Sequence, residues 1–156
     1  MKLLKYFLLI VTFSANASFS FGQVKPAVTK VQKFKPPVVR TFLGINQNGA
    51  SVTVDEASQL IGLPLKITDA KGNIYTIDTY QFLYRKKSFI ENEAGKPQAT
   101  FTIESARFDA TPLPKIWVTN LKDGFQKDEQ LYFFDIVVKD KEGRRFFAPE
   151  LKITIQ

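Results

Sequence analysis

The chain has 156 residues, 44% of them hydrophobic and 15 of them Phe, with no Cys, no His and a formal net charge of +7. The missing residue types exclude a Ser-His-Asp or Cys-His nucleophile system, zinc held by His or Cys, disulfides, and a lipid anchored on cysteine. Lys2, Lys5, Lys25, Lys30, Lys33, Lys35 and Arg40 precede any acid, and from Thr41 onward fifteen basic residues balance fifteen acidic ones. A neutral domain behind a basic leader lacks the basic face that nucleic-acid binding requires, so no nucleic-acid partner is expected.

The opening "MKLLKYFLLIVTFSANASFSFGQ" has a positive start, an apolar run from Tyr6 to Phe13, and small residues Ser20 and Gly22 before Gln23. This is the layout of a cleavable signal peptide over 1–22, cut after Gly22 or, alternatively, after Ala17. The run is shorter than the ~20 apolar residues of a membrane span. The expectation is an exported chain, in the periplasm or at the outer-membrane periphery, with no transmembrane segment once matured. Residues 23–37 carry three prolines and four lysines and read as an extended linker, or as a basic arm (Lys25, Lys30, Lys33, Lys35, with Arg40 beyond) for an acidic surface. Residues 38–156 make one domain of ordinary size.

Within that domain, Val38 to Ile45 reads as a strand, and Asn48-Gly49 as a turn. Asp55 is placed to cap a short helix that Gly62 ends in the left-handed conformation. Leu65 to Lys86 reads as a hairpin turning at Asp69–Asn73, with Tyr80, Phe82 and Tyr84 on one face and Gln81, Leu83 and Arg85 on the other. "ENEAGKPQ" reads as a polar loop, and "ATFTIESARF" alternates with period two. Pro112 and Pro114 precede a stretch, Lys115 to Leu121, that reads as either one helical turn or extended chain, and Trp117 there reads as a core plug. Leu131 to Val138 is apolar on both faces, the pattern of a central strand covered on both sides, with Asp135 needing a partner if buried. Several short strands with turn signals predict an all-β sandwich of about seven antiparallel strands with one short helix.

"KDKEGRRFFAPE" repeats the hairpin signature of Asp69 to Gly72: an acid able to bond back to turn amides, then a glycine where the chain reverses. In "RRFF", alternation places one Arg-Phe set outward and packs the other. Arg144, Arg145, Phe146 and Phe147, with Trp117, are therefore the candidate partner-binding residues, by edge-strand or aromatic–arginine docking. No phosphate loop, dinucleotide fingerprint, serine elbow or calcium loop is present in the sequence. No catalytic, metal-binding or cofactor-binding residues are expected. Two rivals to a non-enzymatic interaction module are a glycan- or peptidoglycan-binding module stacking sugars on Trp117, Tyr80 and Tyr84, and a small hydrolase using two carboxylates.

The stretch "GFQKDEQLYFFDIVVKDKEGRRFFAPELKITI", Gly124 to Ile155, places Tyr132, Phe133, Asp135, Ile136, Gly143, Arg145 and Pro149 where a family pattern has them. Over roughly its last 80 residues, the chain resembles the C-terminal domain of the GldM (PorM) family of the type IX secretion and gliding machinery. That resemblance implies an immunoglobulin-like sandwich, protein docking or dimerisation in the cell envelope, and no catalytic residues. The family's membrane anchor and other periplasmic domains have no counterpart here, so energy transfer from the inner membrane is not implied.

Overall fold

The computed structural model describes residues 33–156, so the expected signal peptide and most of the expected leader, including Lys25 and Lys30, lie outside the described residues. The elements run β1 (Val39–Leu43), β2 (Ala50–Val52), α1 (Val54–Leu60), β3 (Leu65–Asp69), β4 (Ile74–Glu91), β5 (Pro97–Phe108), α2 (Lys115–Lys122), β6 (Gln130–Lys139), β7 (Arg145–Phe147) and β8 (Leu151–Ile155). Residues Lys35–Gln156 form one compact unit.

The all-β, sandwich-like expectation is borne out. Among the described residues, eight strands form a curled mixed sheet in the order β1-β3-β4-β6-β8-β2, with β5 added to β4 and β7 to β6. There is one more strand than expected and a second helix, and one pair is parallel: Ala50 to Val52 of β2 lies beside Ile153 to Ile155 of β8. The curl brings β1 back toward the start of β8, where the Thr41 hydroxyl donates to the Pro149 carbonyl at 2.6 Å. Ser58 of α1 ties to α2 through the Lys122 carbonyl at 2.6 Å.

The core follows from alternation. Tyr80, Phe82 and Tyr84 of β4, Leu131 and Phe133 of β6, and Leu151, Ile153 and Ile155 of β8 are at most 2% exposed. Each such side chain contributes roughly 1.5–3 kcal/mol by leaving water. Burial pushes the Tyr80 hydroxyl up to about 12. Tyr84 is raised further, by burial first and then by its hydrogen bond to Glu129. Thr53, not Asp55, caps α1: its hydroxyl accepts from the Glu56 N–H while the Glu56 carboxylate accepts from the Thr53 N–H, a capping box. Asp55 then sits inside the first turn. Gly62 has no left-handed backbone; the helix closes instead at Ile61, and Pro64 stops it.

Three hairpins share one turn. Asp69 Oδ1 accepts from the Lys71 and Asn73 amides, and Asp140 Oδ1 from the Glu142 and Arg144 amides, at 2.8–3.0 Å. Asn92 Oδ1 does the same with Ala94 and Lys96 at 2.9–3.0 Å. A glycine with positive φ follows each time: Gly72 (81°), Gly95 (73°) and Gly143 (78°). The polar loop 91–98 is thus a third copy of the turn recognised at the other two, with Asn in place of Asp.

Between β4 and β6 the register slips twice. Ile77 faces Val138, Thr79 faces Val137, and then Gln81 faces Phe134. Asp78 is the extra residue on β4. On β6, Asp135 and Ile136 together oppose Tyr80, and Asp135 has φ +48°, as the first residue of a glycine-type bulge does. The bulge resets the alternation, so Leu131 and Phe133 before it and Ile136 and Val138 after it all face the core. This corrects the reading of Leu131 to Val138 as covered on both sides: β6 is central, but only one of its faces is buried. Asp135 is exposed and accepts from Gln81 Nε2 at 2.6 Å.

Candidate functional site

Directly opposed residues of antiparallel strands share a face, so the pairings define what the sheet presents on the side away from the core. One row runs Ser105, Leu83, Tyr132, Lys152 across β5, β4, β6 and β8. The next runs Ile103, Arg85, Gln130, Thr154. On the other flank, Arg107, Gln81 and Phe134 line up, and beyond the bulge come Thr79, Val137 and Phe147.

This face is aromatic and cationic. The Tyr132 and Phe134 rings stack with centroids 4.9 Å apart and planes 12° from parallel. Both rings, like Leu83, are only partly buried. The Lys152 ammonium lies 5.9 Å from the Tyr132 ring centre, and the Arg85 guanidinium 3.4 Å from that of Phe101. The Tyr132 hydroxyl donates to the Glu150 carboxylate, and that bond, more than burial, raises its pKa. Ile103 is 64% exposed and Phe147 73%. Asp78, the bulge residue of β4, pairs with Lys139 and, at 2.8 Å, with Arg145. Those bonds, led by Lys139, hold its carboxyl below the usual range.

The five sequence-predicted docking residues are not brought together. Arg145 and Phe147 lie on the outer face, as one Arg-Phe set was expected to. Phe146 is buried, edge-on to Tyr75 at 5.4 Å. Arg144 belongs to the β6–β7 turn, where Asp140 holds it at 2.7 Å and Glu142 at 2.9 Å. Trp117 stands on α2, edge-on to Phe82 at 5.8 Å and Phe108 at 5.5 Å, on the core side of β4. It packs as the plug that the sequence led one to expect. Of the basic arm, Lys33, Lys35 and Arg40 are exposed.

Tyr132, Phe134, Leu83, Arg85 and Arg107 were missed as a surface. The available signal was Asp135: a lone acid in an apolar run marks the point where a strand changes its facing. Among the described residues, no cluster of three or more acidic side chains is placed to hold a metal ion. A shallow depression is lined by Phe42, Gly44, Ile45, Lys66 and Thr68, with no carboxylate among them.

Fold and face together define a class: a curled all-β domain presenting a partly exposed aromatic and cationic sheet surface. Compared with protein-family models and with curated proteins, the chain matches none. Among the described residues, no helix is long and apolar enough to cross a membrane.

Proposed function

We propose that this chain is a non-enzymatic protein-interaction module of the cell envelope, in the periplasm or at the outer membrane, accessory to type IX secretion or gliding motility. The observation that carries the docking reading is the stacked Tyr132–Phe134 pair, partly exposed and flanked by Arg85, Lys152 and the exposed Ile103. Aromatic residues and arginine are the types enriched at interfaces. The envelope location rests on the signal-peptide layout, and the secretion or gliding role on the GldM resemblance.

The glycan alternative loses two of the platforms named for it. Tyr80 and Tyr84 are 1% and 2% exposed and offer no face to a sugar, while Trp117 is partly buried against the Phe82 and Phe108 rings. The hydrolase alternative gains nothing from the depression beside Phe42, which has no carboxylate to act as acid or base.

The test is chemical crosslinking of the exported chain in its native envelope, followed by mass spectrometry. Wild type is compared with Tyr132→Ala/Phe134→Ala and with Arg145→Glu. Truncating a central aromatic contact costs about 2 kcal/mol, a roughly thirtyfold loss of affinity. The double variant is expected to lose the captured secretion or gliding component by about that factor while its circular dichroism and unfolding midpoint stay near wild type. Capture that is indifferent to every outer-face substitution would overturn the docking reading, as would recovery of glycan alone.

A further inference from the structure

The reading of a docking module leaves open where on the sheet a partner attaches and what it looks like. β5 answers both. It runs 12 residues and pairs with β4 alone, in unbroken register from Pro97 opposite Glu91 to Phe108 opposite Tyr80. Among the described residues, its other side is an open edge. The remaining edge strands, β1, β2 and β7, have 5, 3 and 3 residues. Long open edges are usually blunted by a bulge, an internal proline or an inward charge. β5 has no bulge, its proline stands at the first position, where it blocks nothing further along, and its one charge on the core-side face, Glu104 opposite Tyr84, is itself exposed.

The side chains along this edge carry a charge code. On the outer face come Phe101, Ile103, Ser105 and Arg107, and on the opposite face Thr102, Glu104 and Ala106. Arg107 and Glu104 are exposed, and neither forms an ion pair among the described residues. They have opposite sign, lie three positions apart and face opposite sides. A strand laid antiparallel along β5 meets both only in one register and one orientation.

We infer that β5 receives an extended segment of a partner protein by antiparallel strand addition. The segment carries an acid opposite Arg107, a base three residues later opposite Glu104, and aliphatic residues opposite Ile103 and Phe101. The pattern reads acid-x-x-base-aliphatic-x-aliphatic. Main-chain hydrogen bonds supply attachment, and alternate side chains supply selection. A second copy of this chain does not fit. Two copies of β5 paired about a two-fold axis set residues of the same face against one another, with each contact made reciprocally. Arg107 and Glu104, being on opposite faces, then never meet, and both charges stay unanswered.

The inference rests on the docking reading but fails separately from it. The experiment is fluorescence anisotropy of the exported chain with a labelled heptapeptide, Glu-Thr-Thr-Lys-Val-Thr-Val, and with the same peptide after exchange of its Glu and Lys. Each cross-strand charge pair is worth a fraction of a kcal/mol, so reversing both pairs changes affinity roughly tenfold. Wild type is expected to prefer the first peptide by that factor. The Arg107→Glu/Glu104→Lys variant is expected to prefer the exchanged one. N-methylating alternate peptide amides is expected to abolish binding in one phase and spare it in the other, because only one set of amides points at β5. Equal affinity for the two peptides, no binding of either, or tolerance of N-methylation in both phases would overturn the assignment. So would a dimer, seen by sedimentation, that the peptide dissociates. If strand addition fails while Tyr132→Ala/Phe134→Ala still loses its envelope partner, docking stands and only the β5 edge is reassigned.

Discussion

Asp135→Val is expected to destabilise the domain by about 1–3 kcal/mol, whereas Asp135→Gly is expected to change stability by less than about 1 kcal/mol. Both variants remove the carboxylate and differ in how readily they accept a left-handed backbone. Asp135 is the extra residue that lets Phe133 and Ile136, an odd number of positions apart, both face the core, and it does so at φ +48°. A β-branched side chain is strained in that conformation. Glycine accepts φ +48° more readily than aspartate does. That gain offsets the exposed hydrogen bond lost from Gln81. Urea unfolding of both variants decides the matter. Similar losses for valine and glycine would mean that the side chain matters and the left-handed backbone does not.

Glu129→Ala is expected to cost about 3–5 kcal/mol, although Glu129 touches no partner face. It is 0% exposed, yet it is acceptor to three donors. Oε1 accepts from the Lys87 N–H at 2.8 Å. Oε2 accepts from the Gln126 N–H at 2.7 Å and from the Tyr84 hydroxyl. The carboxylate thus joins β4 to the loop that leads into β6. Alanine leaves those donors buried and unpaired, and an unsatisfied buried group costs roughly 1–3 kcal/mol. Glu129→Gln keeps one oxygen but turns an NH2 toward a donor, and is expected to cost about 1–3 kcal/mol. Adding Tyr84→Phe isolates the hydroxyl. In wild type the change removes a made hydrogen bond, and in the alanine background it removes an orphan, so its cost there is expected to fall toward zero. Equal effects of Tyr84→Phe in both backgrounds would rule out the hydroxyl–carboxylate bond as a contributor.

What could be read from the sequence was local. The inward set Tyr80, Phe82 and Tyr84 follows from period two alone. The turns at Asp69–Gly72 and Asp140–Gly143 follow from the acid's ability to bond its own turn amides. The third turn was passed over because Asn92 stands among polar residues that also describe an ordinary loop, although its side-chain oxygen does the same work. The cap of α1 was placed two residues late because Asp55 and Thr53 are both good caps, and only the reciprocal bond of Glu56 separates them. The parallel pairing of β2 with β8 joins segments about a hundred residues apart and leaves no local mark. The outer face was hidden for a related reason. Tyr132, Phe134 and Val137 sit among residues as apolar as themselves, and a run apolar on both faces reads as covered on both. Only the backbone of Asp135 shows that one side is left open. Alternation in "RRFF" indicated that one Arg-Phe set faces outward but not which, and the register of β7 shows it to be Arg145 and Phe147.

One feature of β4 concerns motion. Its last pair with β6 is Arg85 with Gln130; among the described residues, β5 is its only strand neighbour from Lys86 to Glu91. An isolated two-stranded ribbon is marginal in water, and this one leaves Phe89 and Ile90 62% and 54% exposed. Lys87 marks the hinge, with its amide held by Glu129 and its ammonium by Asp128 at 2.9 Å. Beyond that anchor, amide protons of Ser88–Glu91 and Gln98–Thr100 are expected to exchange with solvent through openings that leave the core intact, and those of Tyr80–Tyr84 only on global unfolding. Equal protection of the two groups would mean that the ribbon melts with the rest. The strand thus has two grades of cohesion along its length, and the looser grade extends into the stretch of β5 where an incoming strand would finish pairing. Such a strand would lend the ribbon a third neighbour, so attachment would be felt as a slowing of exchange at the tip, far from the charges that chose the register.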